Sequence, residues 1–253
     1  MAMGRGRYGV DNFRHQALGD VSSTNTVCME LARAGDPGNV WVTARRQLGG
    51  RGRRGRAWIS EAGNLYASLL LIDPAPLSAI GSLPIAVALA LYRAIADEMP
   101  WAGERIRIKW PNDVLIDAAK VSGILIEAEN LPDGRYAVVI GCGVNIAHKP
   151  ENPLYPAATL NSEGASSSAD SLFAHLLQEM AIVLEEWDEG RGVSRVVDDW
   201  KHHVKGIGSQ ITVNFSDRSL SGIFSAIEDD GRLVLTLPSG EVMHIASGDV
   251  FFS

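Results

Sequence analysis

Residues 49–56 read Gly-Gly-Arg-Gly-Arg-Arg-Gly-Arg, and the wider stretch 45–56 holds six arginines and four glycines. No acidic residue lies between Asp36 and Glu61, so a chain of net charge −7 places six of its 23 Lys and Arg residues in one short segment. Glycine lets backbone N–H groups approach a ligand closely, and arginine supplies planar, permanently charged forks that match carboxylate or phosphate. Two runs of buried character flank the segment, Val40–Ala44 and Leu65–Ile72. It is therefore a connection inside a domain, where a long charged insertion usually serves a ligand. A solvated basic loop touching nucleic acid is the plain alternative. No Gly-Lys-Ser/Thr closes the loop, so it is not a P-loop, and arginines fill positions where a dinucleotide-binding helix would start.

The rest of the composition narrows the setting. At 253 residues the chain can bury a full core, as one large domain plus a small one. Net acidity argues against a dedicated nucleic-acid binder. Cys28 and Cys142 stand far apart, which fits a reducing compartment and neither a disulfide framework nor a zinc site. The polar start lacks the apolar stretch of a secretory signal. The longest apolar run, Ile80–Met99, is interrupted by Pro84, Tyr92, Arg93, Asp97 and Glu98 and reads as a buried amphipathic helix rather than a membrane span. A cytoplasmic protein without membrane contact is expected.

Along the chain, residues 1–14 read as a flexible lead-in. Ser22-Ser23-Thr24-Asn25 caps a helix that Gly35 ends. Helices are predicted over Ser82–Met99, Ser171–Trp187 and 192–204. Strands are predicted at Val40–Ala44, Leu65–Ile72, Ile106–Trp110, Val114–Ile116, Val121–Ala128 and Tyr136–Asn145, with a loop over Asn152–Ala157. After Gly206-Ile207-Gly208, five short strands separated by tight turns suggest a small β-barrel. The expected division is 15–206 and 207–253.

Three further constellations stand out. In Arg107-Ile108-Lys109-Trp110-Pro111-Asn112-Asp113 a strand ends in a turn that exposes a cation, an amide and a carboxylate. That combination suits a magnesium–nucleotide site, and a charged strand edge with an ordinary turn is the alternative. Lys120 follows, then Gly123 inside an apolar strand. In Ile140-Gly141-Cys142-Gly143-Val144-Asn145 two glycines interrupt another apolar strand, which allows a flat ligand to lie on it or simply close sheet packing. Ser23-Thr24-Asn25 is a cap whose hydroxyl and amide groups also suit the polar head of a ligand.

Taken in order, Ser23-Thr24-Asn25, Gly50–Arg56, Lys109–Asp113 with Lys120 and Gly123, and Gly141–Asn145 closely resemble the biotin protein ligases over residues 15–253. The resemblance implies an α/β catalytic domain like that of class II aminoacyl-tRNA synthetases and a C-terminal barrel like an SH3 domain. It implies biotin and ATP as substrates, Mg2+ with the nucleotide, and a biotin carboxyl carrier protein or domain as acceptor. By the same likeness Ser23, Thr24, Asn25 and Gln47 surround biotin's ureido head. Backbone of Gly50, Arg51, Gly52 and Arg53 closes over its chain and carboxylate, and Gly123, Leu125, Gly141 and Gly143 form the floor. Arg53, Arg54, Arg56, Trp58, Lys109, Asn112, Asp113 and Asn145 are implied for ATP, with Asp113 on the metal. Lys120 and Arg53 are implied as catalytic, Lys120 touching both the biotin carboxyl and the α-phosphate. About fifteen residues precede the first matched element, so a ligase without direct DNA binding is expected, and exposed sheet edges leave room for a homodimer. A lipoate ligase of the same fold is the nearest competing reading, and a non-enzymatic nucleic-acid-binding module is the rival from another class.

Overall fold

The computed structural model describes residues 6–151 and 155–252. Its larger part is a seven-stranded sheet built from β1 (Arg14–Val21), β2 (Val40–Gln47), β3 (Leu65–Ile72), β4 (Ile106–Lys109), β5 (Asp113–Ile116), β6 (Ala119–Asn130) and β7 (Tyr136–Val144). The strand order is β1-β2-β3-β7-β6-β5-β4. Only the β1–β2 pair is parallel; the other neighbours are antiparallel. Helix α1 (Thr24–Arg33) lies between β1 and β2 in the chain, as a parallel crossover requires. Helices α2 (Leu83–Glu98), α3 (Ala169–Trp187) and α4 (Val193–His203) follow.

The nearly continuous apolar run of β3 is explained by burial on both faces. Leu65, Ala67, Leu69 and Leu71 join the core with α2 and α3. Leu70 and Ile72 join Cys28, Met29 and Ala32 of α1 in a second cluster. A strand covered on both sides shows no polar alternation. Helix α2, expected to be amphipathic, is buried on nearly every side from Leu83 to Leu91, and only its last turns carry the polar residues. It is a core helix, sandwiched between the sheet and its helical neighbours.

Strand β1 escaped the sequence reading. Its eight residues are mostly exposed and show no apolar alternation, because it is an edge strand whose place is fixed by pairing with β2. The lead-in also differs from expectation. Residues 1–5 lie outside the described ones, but Tyr8 is 2% exposed and its hydroxyl donates to the Pro74 carbonyl. Of the loop expected over Asn152–Ala157, residues 152–154 lie outside the described ones.

The C-terminal part is a five-stranded antiparallel sheet formed by β8 (Gln210–Asn214), β9 (Ser219–Ile227), β10 (Leu233–Thr236), β11 (Val242–Ile245) and β12 (Asp249–Phe252), in the order β11-β10-β9-β8-β12. These are the five short strands expected of an SH3-like barrel. It is tied to the larger part: the Trp110 indole donates to the Gly231 carbonyl at 3.0 Å, and Ile211, Val213 and Phe224 share the main core cluster.

One buried side chain fixes the exit of β7. The Asn64 Oδ1 accepts backbone N–H bonds from Ile146, Ala147 and His148 at 2.9, 2.9 and 3.0 Å, and its Nδ2 donates to the His148 carbonyl. Asn64 is 3% exposed, so nothing replaces these bonds if it is truncated. Asn64→Ala is expected to cost about 3 kcal/mol. A fall in Tm of roughly 6–12 °C follows for a chain of this size, read by thermal denaturation.

Candidate active site

The face of the sheet that carries α1 is unusually smooth near its centre. Gly143 pairs with Gly123 and Tyr66, and Gly141 pairs with Leu125 and Ser68, so glycines from two strands line up across the sheet. The space left by the missing side chains is used. A Cβ on Gly141 would stand 2.3 Å from Asn25 Oδ1, and one on Gly143 would stand 2.6 Å from Trp58 Nε1. Glycine is thus required here by the close approach of other groups. The Trp58 indole N–H is buried without a hydrogen-bond partner, leaving a free donor beside that floor.

Above the glycines lies a cleft open to solvent. One end is rich in hydrogen-bonding groups and without net charge, its Arg51 being paired with Glu127. Gln47 Oε1 accepts from the Thr24 amide at 2.9 Å and from the Thr24 hydroxyl at 3.1 Å. The Ser68 hydroxyl lies 2.6 Å from Asn25 Oδ1, to which it can donate its one proton, and 2.7 Å from Thr24 Oγ1. Asn25 Nδ2 donates to Glu127 at 2.8 Å, and Arg51 pairs with the same carboxylate at 3.1 Å. Ser23 and Asn25 stand at the start of α1 without a side-chain cap bond there, so their polar groups face the cleft instead. Ser68 and Glu127 were missed in the sequence. The signal for Ser68 was there, a lone serine in an otherwise apolar and aromatic strand.

The other end is cationic. Lys120 Nζ lies 2.7 Å from Asp113 Oδ1, and Lys109 Nζ lies 3.8 Å from Asp113 Oδ2. All three side chains are nearly buried. Burial opposes the charge on Lys120, but Asp113 and the Tyr155 hydroxyl together outweigh it, and the ammonium is held above the ordinary lysine range. For Lys109 burial wins over the more distant carboxylate, repulsion from Lys120 adds to it, and its pKa is lowered. Arg53 donates to Asn112 Oδ1 at 2.9 Å, and Asn112 in turn donates to the Ile124 carbonyl at 2.8 Å.

The arginine loop is anchored by the barrel. Asp249, at the start of β12, receives Arg56 at 2.5 Å, Arg54 at 3.1 Å and Arg53 at 3.8 Å. Arg54 also donates to the Asn214 carbonyl and Arg53 to the Gly248 carbonyl. Asp249 sits about 195 residues from the loop in sequence, so no local pattern reveals it.

Seventeen of the expected site residues line this one cleft: Ser23, Thr24, Asn25, Gln47, Arg51, Gly52, Arg53, Arg56, Trp58, Lys109, Asn112, Asp113, Lys120, Gly123, Leu125, Gly141 and Gly143. Three do not. Gly50 sits behind the cleft wall, where an added Cβ would meet Ser60 and the Trp58 carbonyl. Arg54, whose backbone is left-handed (φ 56°), directs its side chain to Asp249 and the Asn214 carbonyl. Asn145 is 3% exposed and donates to the Ala158 carbonyl, so it fastens backbone rather than reaching the cleft. Asp113, expected beside the nucleotide's metal, is engaged within the protein. Its two oxygens are shared by two ammonium groups, and no group of three or more His, Cys, Asp or Glu ligands occurs among the described residues. These residues do not fit a resident metal. Cys142 lines the cleft, but burial pushes its thiol up to about 12, so it is no nucleophile.

Comparison with known proteins places this architecture. Residues 19–145 match the biotin/lipoate A/B protein ligase family, and residues 206–253 match the biotin protein ligase C terminal domain. The biotin--[acetyl-CoA-carboxylase] ligase of Paracoccus denitrificans is 35% identical over 241 residues, covering 93% of this chain and 99% of that protein. The ligase of the same name from Mycobacterium tuberculosis is 30% identical over 239 residues, 92% of this chain and 86% of that protein. The structure of the Aquifex aeolicus biotin protein ligase in complex with biotin and ATP superposes with a TM-score of 0.81 at 24% identity, over 95% of this chain and 99% of that one. The chain belongs to the biotin protein ligases, within the biotin/lipoate A/B protein ligase family.

If Asp249 anchors the loop, its removal frees a segment rich in trypsin sites. Asp249→Ala is expected to speed tryptic cleavage within residues 51–56 by roughly five-fold, read by mass spectrometry of timed digests.

Proposed function

We propose that this protein attaches biotin, with ATP, to a lysine of a biotin carboxyl carrier domain, through biotinyl-5′-AMP. The observation that carries this reading is the polarity of the cleft. A neutral hydrogen-bonding end over a glycine floor suits a ureido ring, and a cationic end suits a carboxylate beside phosphates. The names and ligands of the relatives support the same substrates. The C-terminal domain match and the arginine–glycine loop favour biotin over lipoate, and titration calorimetry with both acids separates the two.

In the first step a biotin carboxylate oxygen attacks the α-phosphorus of ATP. The bond to the bridging oxygen of the β-phosphate breaks, and pyrophosphate leaves. Two anions must meet, and the repulsion is offset by fixed positive charge. Lys120 is placed to touch both the carboxylate and the α-phosphate. Lys109, Arg53 and Arg56 face the phosphates, and Asn112 orients Arg53. One such contact at ~4 Å and an effective dielectric near 20 contributes about 4 kcal/mol of gross attraction. Desolvation offsets part of it. Magnesium enters as part of the nucleotide substrate, since Asp113 is engaged by lysines. In the second step the acceptor lysine's neutral amine attacks the carbonyl carbon of the mixed anhydride. An amide forms, AMP leaves, and the amine gives up a proton. No covalent enzyme intermediate is needed, and the protein supplies position and charge.

The Gly50–Arg56 segment then has a second role, covering the adenylate against water and stray amines. Arg53→Gly is expected to slow adenylate synthesis without abolishing it, since Lys120, Lys109 and Arg56 remain, while raising biotin labelling of bystander protein several-fold, and an unchanged streptavidin blot would reject the covering role. Lys120→Ala is expected to lower biotin-dependent ATP–pyrophosphate exchange by roughly 100-fold or more with circular dichroism unchanged. Exchange near the wild-type rate would remove Lys120 from the chemistry.

A further inference from the structure

Tyr155 is assigned no role by sequence or family match, yet it lines the cleft between the two lysines. Its position is set by backbone. The Lys120 amide donates to the Pro156 carbonyl at 2.8 Å, and the Ala158 amide donates to the Lys120 carbonyl at 3.0 Å. Ala157 and Lys120 form an isolated parallel bridge. Residues 156–158 therefore run beside Lys120 like a short extra strand on the side that β5 leaves open. Asn145 secures that strand to the core: it donates to the Ala158 carbonyl, accepts from the Leu160 amide at 2.9 Å, and donates its own N–H to Val121 at 2.8 Å.

This register brings the Tyr155 ring against both ammonium groups. Its centroid lies 5.2 Å from Lys120 Nζ and 5.3 Å from Lys109 Nζ, and its hydroxyl is 3.5 Å from Lys120 Nζ. Trp58 stands 5.6 Å from Lys120 Nζ and Phe251 of the barrel 5.5 Å from Lys109 Nζ. A lysine on a flexible stem must otherwise be held by ion pairs, and the carboxylate paired with these two, Asp113, is shared between them. An aromatic face attracts both cations without adding negative charge that would repel the incoming phosphate. When anionic substrates draw the ammonium groups away from Asp113, the ring still limits where they can go.

We propose that Tyr155 is a positioning residue for the adenylation step, its ring face holding Lys120 and Lys109 toward the reacting carboxylate and phosphate. The proposal rests on the adenylation reading of Lys120. The test compares wild type, Tyr155→Phe and Tyr155→Leu in biotin-dependent ATP–pyrophosphate exchange, with biotin affinity measured by titration calorimetry. Tyr155→Leu is expected to lower kcat by about ten-fold or more, with KM for ATP and biotin affinity within about two-fold of wild type. Tyr155→Phe keeps the ring and is expected to retain kcat within about two-fold. An unchanged kcat in Tyr155→Leu, a loss confined to KM or biotin affinity, or an equal loss in Tyr155→Phe would overturn the assignment. Absence of biotin-dependent exchange in the wild-type protein would instead overturn the reading of the whole site.

Discussion

Five cationic side chains converge on two carboxylates, and the site depends on that imbalance. Arg53, Arg54 and Arg56 share Asp249, while Lys109 and Lys120 share Asp113. Each carboxylate lets like charges crowd together in a poorly hydrated place where they would otherwise repel. Neither neutralises its group. The residual positive charge faces a cleft, and an anion entering it completes a balance that the protein leaves unfinished. Preorganised charge of this kind costs no rearrangement when substrate charge develops.

The scaffold beneath this arrangement is rigid for reasons that lie outside the site. Strand β3 is buried on both faces, and β7 is paired with β3 on one side and β6 on the other over nearly its whole length. Only a sheet fixed this firmly can carry a row of glycines, which give up side-chain packing and backbone entropy. In return Asn25 and Trp58 descend to the backbone of β7. The Asn64 and Asn145 side chains extend the same firmness into the segment after β7, which runs back alongside Lys120. Two asparagines thus do by hydrogen bonding what the apolar core does elsewhere.

The barrel is joined to the catalytic half functionally as well as by packing. Its Gly248, Asp249 and Phe251 line the same cleft as residues from the first half of the chain. A loop with four glycines and four arginines has no core of its own to hold it. Its resting position is set by ion pairs to β12, which are weak individually and screened by salt, so a more highly charged competitor can displace them.

Much of this was legible in the residues. Apolar periodicity gave the helices and nearly all the strands, because burial leaves a pattern in the chain. Edge strand β1 left none, since pairing rather than burial defines it. Motifs that are contiguous in sequence were found, among them the arginine–glycine loop and Lys109–Asp113. Groups supplied by distant segments were not: Glu127, Tyr155 and Asp249 are ordinary polar residues until folding brings them to the cleft. Asn145 was recognised as important but assigned to the ligand, because a sequence does not show which way a buried amide points. The sequence by itself determined the fold class and the chemistry available, through the spacing of apolar residues and the kinds of charged groups it holds. The tertiary structure alone decided which charges are paired, which are left over and what holds them, because those are matters of distance between residues that are far apart along the chain.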